Sequence, residues 1–190
     1  MPRAGLSTPA VVDVALAIVD EHGLAALTLA AVAQRVGVAA PSLYKHVRGL
    51  DALLQKVSAA ATAELADVLS HAAAGKAGLD AVRAVADAYR RFALDRPGRY
   101  PATQRLPEPA DPAHVAASER AVHTVFAVLH AYGITGDDAV DATRFIRSAL
   151  HGFVSLEVDG GFGLPQDVDR SFDRLVGAID TALRSWPRTS

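Results

Sequence analysis

The sequence predicts an all-α protein with about nine helices. Alanine is abundant, aromatic residues make up only 6% of the chain, and the apolar fraction of 51% contains few of the β-branched and aromatic runs that mark strands. Apolar residues recur at helical spacing, and glycine or proline interrupts each run. With 190 residues, the chain suits one domain or a small module attached to a larger one.

Composition also excludes several kinds of chemistry. The chain has no cysteine, which excludes disulfides, thiolate catalysis and cysteine-ligated metal sites and fits a reducing compartment. The opening residues MPRAGLSTPA lack the apolar core of a signal peptide, and no apolar span approaches the ~20 residues that cross a bilayer. We therefore expect a soluble, cytoplasmic protein that does not contact a membrane.

The charges are distributed unevenly along the chain. Residues 1–56 hold five bases and four acids, whereas the other 134 residues hold 14 bases and 17 acids. Within the first part, residues 27–47 contain Arg35, Lys45 and His46 and no acid. Because the net charge of the whole chain is −2, this local excess of bases indicates that the N-terminal part faces a polyanion.

Two short helices are predicted at the start of the chain. Thr8 can cap the first helix, Pro9 suits its first turn, and Gly23 ends it. Thr28 is a suitable cap for the second helix, which is expected to end at Gly37.

A third helix is predicted to begin near Ala40, which gives a helix-turn-helix layout. Gly37 can supply the positive φ that the tight turn before this helix needs. If Leu43 and Val47 face the core, the opposite side of a 3.6-residue helix carries hydroxyl, basic and imidazole groups. These groups belong to Ser42, Tyr44, Lys45 and His46. Any helical hairpin with a glycine turn fits the same spacing, but the absence of acid favours DNA binding.

The stretch LTLAAVAQRVGVAAPSLYKHVRGLDALL closely resembles the N-terminal DNA-binding domain of the TetR family of bacterial transcriptional regulators. It includes the core G-V-x-x-x-S-L-Y-x-H-V, and the likeness extends from Thr8 to Leu54. The resemblance implies a helix-turn-helix DNA-binding domain over residues 1–49 and a helical regulatory and dimerisation domain over residues 50–190. It also accounts for the missing acids, because this surface would lie against phosphate.

The resemblance assigns DNA contacts to individual positions. It implies that Thr28, Tyr44 and His46 contact backbone phosphates. It places Ala40, Pro41, Ser42 and Lys45 over base edges in the major groove. Lys45 is the best candidate for direct readout, with guanine as its partner, because alanine offers only a methyl contact. Two simpler roles stay open, namely Thr28 as a helix cap and Tyr44 as a packing residue.

One family feature is absent from the sequence. Family members often have a phosphate-binding lysine at the start of the next helix, where this chain has Leu50. The resemblance therefore implies that Arg48 or Arg3 takes over this phosphate contact.

The second part of the chain begins with a long predicted helix from about Leu50, some 24 residues and about 36 Å in length. In the family, this helix links the DNA-binding head to the regulatory body. Another helical stretch ends at RPGRY, and five of the ten prolines follow between Pro97 and Pro112. Prolines this dense predict a short helix inside a bent connection, which we expect to form a lid over the body.

Three more helices are predicted at about residues 113–132, 138–156 and 168–183. The last two carry apolar residues around much of their circumference, which predicts that a partner covers one side. The resemblance implies a symmetric homodimer in which these helices pair with their copies in a four-helix interface. The interface residues would be Phe153, Val154, Phe172, Leu175, Val176 and Ile179.

The stretch FIRSALHGFVSLEVDGGFG resembles a subgroup of the family in which a Trp-His-Gly triplet recurs, with Leu150, His151 and Gly152 at the triplet here. Family members commonly hold a small molecule between the helices of the body. The candidate lining residues are Tyr89, Phe92, Tyr100, His123, Phe126, His130, Phe145 and His151. Aromatic residues and histidines at such positions also fit a plain interior.

No metal or other cofactor is expected. His123 and His130 share a helix face, but no carboxylate joins them at ligand spacing. The sequence also lacks a nucleophile elbow, a phosphate-binding glycine loop and a metalloprotease motif, so an enzyme is not indicated. Asp137 and Asp138 fit the start of a helix rather than a catalytic pair.

The predicted function is that of a sequence-specific regulator of transcription. The resemblance implies a repressor that binds double-stranded DNA at a near-palindromic operator and is released by a small-molecule effector. Two alternatives stay open on the sequence: a DNA-binding architectural or constitutive factor without an effector, and an activator in place of a repressor.

Overall fold

A computed structural model describes residues 6–187, and every regular element in that range is a helix. The all-α fold predicted from the sequence is confirmed. The α-helices are α1 (Thr8–His22), α2 (Leu29–Val36), α3 (Leu50–Ala73), α4 (Gly78–Asp95), α5 (Pro112–His130), α6 (Gly136–Val158) and α7 (Val168–Arg184). Three short 3₁₀ helices cover Leu24–Ala26, Ala40–Lys45 and Tyr100–Gln104. Arg3, one of the predicted phosphate contacts, lies outside the described residues.

None of the helices within residues 6–187 is both long and apolar enough to cross a membrane.

The cap of the first helix is one residue earlier in the chain than the predicted cap, Thr8. Ser7 is the cap, because its hydroxyl oxygen accepts a hydrogen bond from the amide of Ala10 at 3.4 Å. Thr8 is already helical, and its hydroxyl donates instead to the carbonyl oxygen of His46 at 3.3 Å. The start of α1 is therefore tied to a residue 38 positions later in the chain.

The contacts within the chain divide it into two compact units. Unit 1 comprises residues 1–64 and 96–118, and unit 2 comprises residues 65–95 and 119–190. The segment predicted to be a lid over the regulatory body belongs to unit 1, where Arg99 and Arg105 form ion pairs with Asp20 and Asp51. The boundary predicted between residues 49 and 50 separates a DNA-binding part from a regulatory part, and it does not coincide with the division into the two units. It stays a prediction.

Unit 1 has one continuous apolar core. Its members come from α1, α2, the Ala40–Lys45 helix, the first half of α3 and the Tyr100–Gln104 helix. They are Val11, Ala15, Leu16, Ile18, Val19, Leu27, Val32, Ala33, Leu43, Val47, Leu53, Val57, Ala61 and Ala102. The core thus joins residues 11–61 to Ala102, in a segment much later in the chain.

In unit 2, α4 packs against both α6 and α7, and these two helices also pack against each other. Arg90 on α4 is only 15% exposed and donates hydrogen bonds to Glu157 at 2.7 Å and to Asp169 at 2.6 Å. Its guanidinium carbon lies 4.7 Å from the ring centroid of Phe172. Arg90 is a planar cation that binds two carboxylates and an aromatic face, so it holds α4, α6 and α7 together.

Candidate nucleic-acid interface

The turn between α2 and the Ala40–Lys45 helix depends on Gly37. This residue has a φ of 75° and a ψ of 36°, in the left-handed region. Its amide and the amide of Val38 both donate to the carbonyl oxygen of Ala33 at 3.0 Å. A residue with a Cβ atom would be strained at this φ. The glycine turn predicted from the sequence is therefore confirmed.

The helix after the turn, Ala40–Lys45, is a tight 3₁₀ helix rather than the expected α-helix. Pro41 in its first turn has no amide to donate. The amides of His46 and Val47 both donate to the carbonyl oxygen of Leu43, at 2.8 and 2.9 Å. Leu43 is fully buried and Val47 is 3% exposed, so the two predicted core positions are confirmed.

The predicted DNA contacts differ in exposure. Thr28, Pro41, Tyr44, Lys45 and Arg48 are exposed, whereas Ala40, Ser42 and His46 are half-buried. Tyr44 exposes 59% of its surface, so most of its side chain is accessible to a partner. Ala40 packs partly against the core of unit 1. The exposed side chains can reach a ligand without any change in the fold.

Thr28 caps α2, as one of the two roles predicted for it requires. Its hydroxyl oxygen accepts a hydrogen bond from the amide of Ala31 at 3.0 Å. The side chain is nevertheless exposed, and the hydroxyl proton is available to donate to an acceptor such as a phosphate oxygen. Capping and DNA contact are therefore compatible at this residue.

No acidic residue occurs between Glu21 and Asp51, and an arginine binds each of these two bordering acids. Arg35 donates to both carboxylate oxygens of Glu21, and these hydrogen bonds hold the pKa of Glu21 below its ordinary value. Arg105 binds Asp51 at the start of α3. Since both acids are compensated, the exposed bases between them keep a positive field at the surface.

The sequence pattern does not predict this role for Arg105, nor the ion pair between Arg99 and Asp20. The partners lie 54 and 79 residues apart in the chain, which is beyond any local periodicity. The one local sign is compositional, because three arginines occur in a stretch that prolines keep from forming a long helix.

Unit 2 contains an apolar crevice of about 20 Å³ among α4, α5, α6 and α7. Its lining is Val82, Val85, Ala86, Val125, Val128, Ile146, Leu150 and Ile179. None of the eight residues predicted to line a pocket is among them. The lining is aliphatic throughout, so it offers no hydrogen bond from a side chain.

The predicted pocket residues do not line this crevice, and they differ in how far they are exposed. In unit 2, Tyr89 and Phe92 are buried, Phe126 and His151 are half-buried, and His123, His130 and Phe145 are exposed. Tyr100 is buried in unit 1. Phe145 instead contacts Trp186, with 5.8 Å between ring centroids. Within residues 6–187, no three histidine or acidic side chains are grouped so that they could hold a metal ion.

The predicted dimer residues require a correction. Val154, Phe172, Val176 and Ile179 are at most 1% exposed within the single chain, so they cannot meet a second copy. The helices are apolar on several sides because α4 covers them, and the sequence pattern cannot distinguish that cover from a partner. Leu175 is half-buried, and so is Phe153, whose ring contacts Phe162 and Phe172 at centroid distances of 4.8 and 5.2 Å.

Two family models match the chain. The model described as bacterial regulatory proteins of the tetR family matches residues 11–57, which contain the glycine turn and the Ala40–Lys45 helix. The model described as the Tetracyclin repressor-like C-terminal domain matches residues 82–179, about half of the chain.

Individual relatives point the same way. The HTH-type transcriptional regulator Rv0681 of Mycobacterium tuberculosis is 41% identical over 158 residues, which cover 83% of this chain and 72% of that protein. The HTH-type transcriptional regulator YobS of Bacillus subtilis is 33% identical over 183 residues, 96% of this chain and 95% of that protein. ActR from Streptomyces coelicolor in complex with (S)-DNPA shares the fold, with a TM-score of 0.70 at 20% identity over 96% of this chain and 98% of that one.

The Trp-His-Gly subgroup stays a prediction, since neither family model nor relative distinguishes it. At the level of the family, the matched models, the two regulators and the helix-turn-helix geometry agree. The chain belongs to the TetR family and is a DNA-binding transcriptional regulator, not an enzyme.

Proposed function

We propose that the chain is a repressor that binds an inverted-repeat operator as a homodimer and releases it when a small molecule binds unit 2. The proposal rests above all on the exposed surface of Thr28, Tyr44 and Lys45, which carries one base and two hydroxyls but no acid. A protein that occupies an operator excludes other proteins from the same DNA, which makes repression the direct outcome. We infer that the protein works in the cytoplasm, where its operator DNA would lie.

On DNA, we infer that the Ala40–Lys45 helix enters the major groove. Tyr44 and Thr28 would donate hydroxyl protons to phosphates, and Lys45 would read a guanine. Arg48 is exposed two residues before Leu50, so it can replace the lysine that family members often have at that position. Ala40 and Pro41 offer only apolar contact, which suits the thymine methyl group.

We infer that the dimer forms through the outer face of α6, together with α7. On α6, Phe145, Ser148, Gly152 and Leu156 recur at intervals of three and four residues, and all four are exposed. A Cβ atom on Gly152 would meet nothing within 4 Å. An exposed glycine inside a helix costs about 1 kcal/mol relative to alanine, and close approach of a second helix would account for it.

We propose the aliphatic crevice of unit 2 as the effector site. A cavity of about 20 Å³ has room for about one water molecule, so a larger ligand requires the surrounding helices to part. Because the lining has no polar side chain, the effector would be apolar over most of its surface. The complex of ActR with (S)-DNPA supports ligand binding in a protein of this fold.

The test is selection of bound duplexes from a random pool by the purified protein at physiological salt. An inverted repeat with half-sites about 34–36 Å apart would support a dimeric, sequence-specific regulator. Recovery of no motif, together with binding that weakens steeply with salt, would show phosphate attraction alone and favour the architectural alternative. A selected operator that no apolar compound releases would favour a constitutive factor.

A further inference from the structure

Gly98 lies closer to the last turn of α1 than a residue with a side chain could. A Cβ atom on Gly98 would lie 1.9 Å from the carbonyl oxygen of Val19 and 3.4 Å from the Cα atom of Asp20. The same carbonyl oxygen accepts the amide of Gly23 at 2.9 Å, which ends α1. Backbone therefore packs directly on backbone at the last turn of α1, and only glycine fits there.

The residue after this glycine forms ion pairs with two helices. Arg99 donates to both carboxylate oxygens of Asp20 on α1, at 2.8 and 2.6 Å, and to Glu64 on α3 at 2.7 Å. Arg96 donates to the same Glu64 at 3.3 Å. We call these four residues the arginine clamp.

The arginine clamp should stabilise the contact between its helices more than an ordinary surface ion pair does. The side chain of Arg99 is 20% exposed, and those of Asp20 and Glu64 are 34% and 31% exposed. Partial shelter weakens screening by salt, and the planar guanidinium matches a carboxylate with two parallel hydrogen bonds. Hydrogen bonding to Asp20 also raises the pKa of Arg99 above its ordinary value, so the charge is permanent.

A different ion pair in unit 1 serves as a contrast. Arg35 and Glu21 join α2 to α1, so their pair acts within the helix-turn-helix itself. The arginine clamp instead joins α1 to α3, at a position on α3 beyond Ala61, its last residue in the apolar core. The arginine clamp is therefore suited to fix the angle at which α1 lies on α3.

A change in the angle between α1 and α3 would displace the predicted DNA contacts, because the far end of α1 is bonded to them. With 15 residues α1 is about 22 Å long, so a tilt of about 5° at its clamped end moves the other end by about 2 Å. Thr8 at that other end is hydrogen-bonded to His46, directly after the Ala40–Lys45 helix. In a dimer, a displacement of this size between the two heads exceeds the tolerance of direct hydrogen bonds to DNA at both half-sites together, while a single half-site can still be bound.

We propose that Arg99 and Gly98 are positioning residues for operator recognition. They hold α1 at one angle to α3, so that two copies of the chain present their Ala40–Lys45 helices at a single separation. The inference rests on the dimeric DNA binding proposed above. It implies that the arginine clamp sets the preferred spacing of the half-sites, while each half-site is still read by the helix-turn-helix.

The test compares DNA affinities of Arg99→Ala, Arg99→Lys and Gly98→Ala with those of the wild type. Arg83→Ala is the matched control, because it removes an exposed ion pair with Asp173 in unit 2. Fluorescence anisotropy is measured on the selected full site, on a single half-site, and on full sites lengthened at the centre by one or two base pairs. Circular dichroism and thermal melting confirm that each variant is folded.

For Arg99→Ala and Gly98→Ala, we expect affinity for the full site to fall about tenfold, within the range usual for coupled sites. Affinity for the half-site should stay within about twofold, and the preference for one spacing should weaken. Arg99→Lys should fall between the wild type and Arg99→Ala, because lysine keeps the charge but not the two parallel hydrogen bonds. Arg83→Ala should behave like the wild type.

A parallel loss on the full site and the half-site would overturn the proposal, because it would mean general destabilisation. Unchanged spacing preference in all variants would also overturn it. If Gly98→Ala does not fold, Arg99→Lys decides the question, since it alters no backbone contact. A wild-type protein without any preference for the full site would instead refute the dimeric function, and the proposal with it.

Discussion

Tyr44 and Lys45 stand side by side on the surface while their neighbour Leu43 is fully buried. The buried leucine anchors the short helix in the core, so the adjacent side chains cannot turn inward. A tyrosine hydroxyl and a lysine ammonium at fixed positions can contact a phosphate and a base edge in the same register. These two residues are therefore the sharpest test of the DNA-binding surface.

Replacing both Tyr44 and Lys45 with alanine should abolish operator binding, with a loss of at least about 2–3 kcal/mol if each contact contributes its usual share. Neither side chain supports the core, so the melting temperature should stay within a few degrees of the wild type. Electrophoretic mobility shift and thermal melting measure the two quantities. Lys76→Ala, an exposed change in unit 2, is the control, and undiminished binding by the double variant would refute the assignment of the helix.

His114 is a buried histidine in unit 1 that has no place in DNA recognition. It is fully buried, its Nδ1 atom has no hydrogen-bond partner, and its Nε2 atom lies 3.4 Å from the hydroxyl of Thr62. Burial lowers its pKa below the ordinary value of 6.5, while Asp111 acts in the opposite direction. The folded chain therefore favours the neutral imidazole.

Stability should fall as the pH drops below about 6.5, because the unfolded chain then binds a proton that the folded chain resists. The slope from this one group is at most about 1.4 kcal/mol per pH unit. Thermal melts at pH 7.5, 6.5 and 5.5 measure it. His114→Gln should flatten the dependence over this range, and an equal slope in both proteins would rule out His114 as its source.

At the scale of elements, the confirmed predictions rest on local sequence signals, such as single glycines and helical spacing of apolar residues. The glycine turn followed from one residue type, and the long helix predicted from Leu50 with some 24 residues is Leu50–Ala73 in the structure. The α-helix expected near Ala40 is instead a 3₁₀ helix of six residues, Ala40–Lys45. Apolar periodicity identified α6 and α7 but could not show that α4 covers them.

The outer face of α6 supplies a test of the proposed dimer. Replacing Gly152 with arginine should convert the dimer to a monomer, because the side chain would fill the space that a second helix needs. Sedimentation velocity measures the oligomeric state. Ala127→Arg on the exposed surface of α5 is the control. A dimer of unchanged stability in Gly152→Arg would place the interface elsewhere.

At the scale of the whole molecule, the chain enters unit 1 twice. Residues 96–118 contribute Ala102 to the core and bury Tyr100 in the same unit. This arrangement defeats prediction from sequence, because the pairing of Arg99 with Asp20 spans 79 residues and leaves no periodic trace in either segment. The segment predicted as a lid is instead a structural part of the unit that carries the helix-turn-helix.

A fragment of residues 1–64 should consequently be much less stable than the intact protein. The fragment lacks the apolar surface that Ala102 and Tyr100 bury, which contributes about 3 kcal/mol to the free energy of unfolding. In a unit of this size, that loss lowers the melting temperature by more than about 10 °C. Circular dichroism of the fragment and of the full chain gives the comparison. A fragment that melts as high as the full chain would show that residues 96–118 add nothing to unit 1.

Because two separate segments of the chain form unit 1, the DNA-binding part of one family member cannot simply replace that of another. A chimera that joins residues 1–49 of this chain to the body of another family member would carry Asp20 without Arg99, and the backbone carbonyl of Val19 without the glycine that packs on it. A transplant of DNA specificity, whether by recombination or by engineering, therefore succeeds only if residues 96–105 travel with the head or if the recipient already has a glycine and an arginine at those places.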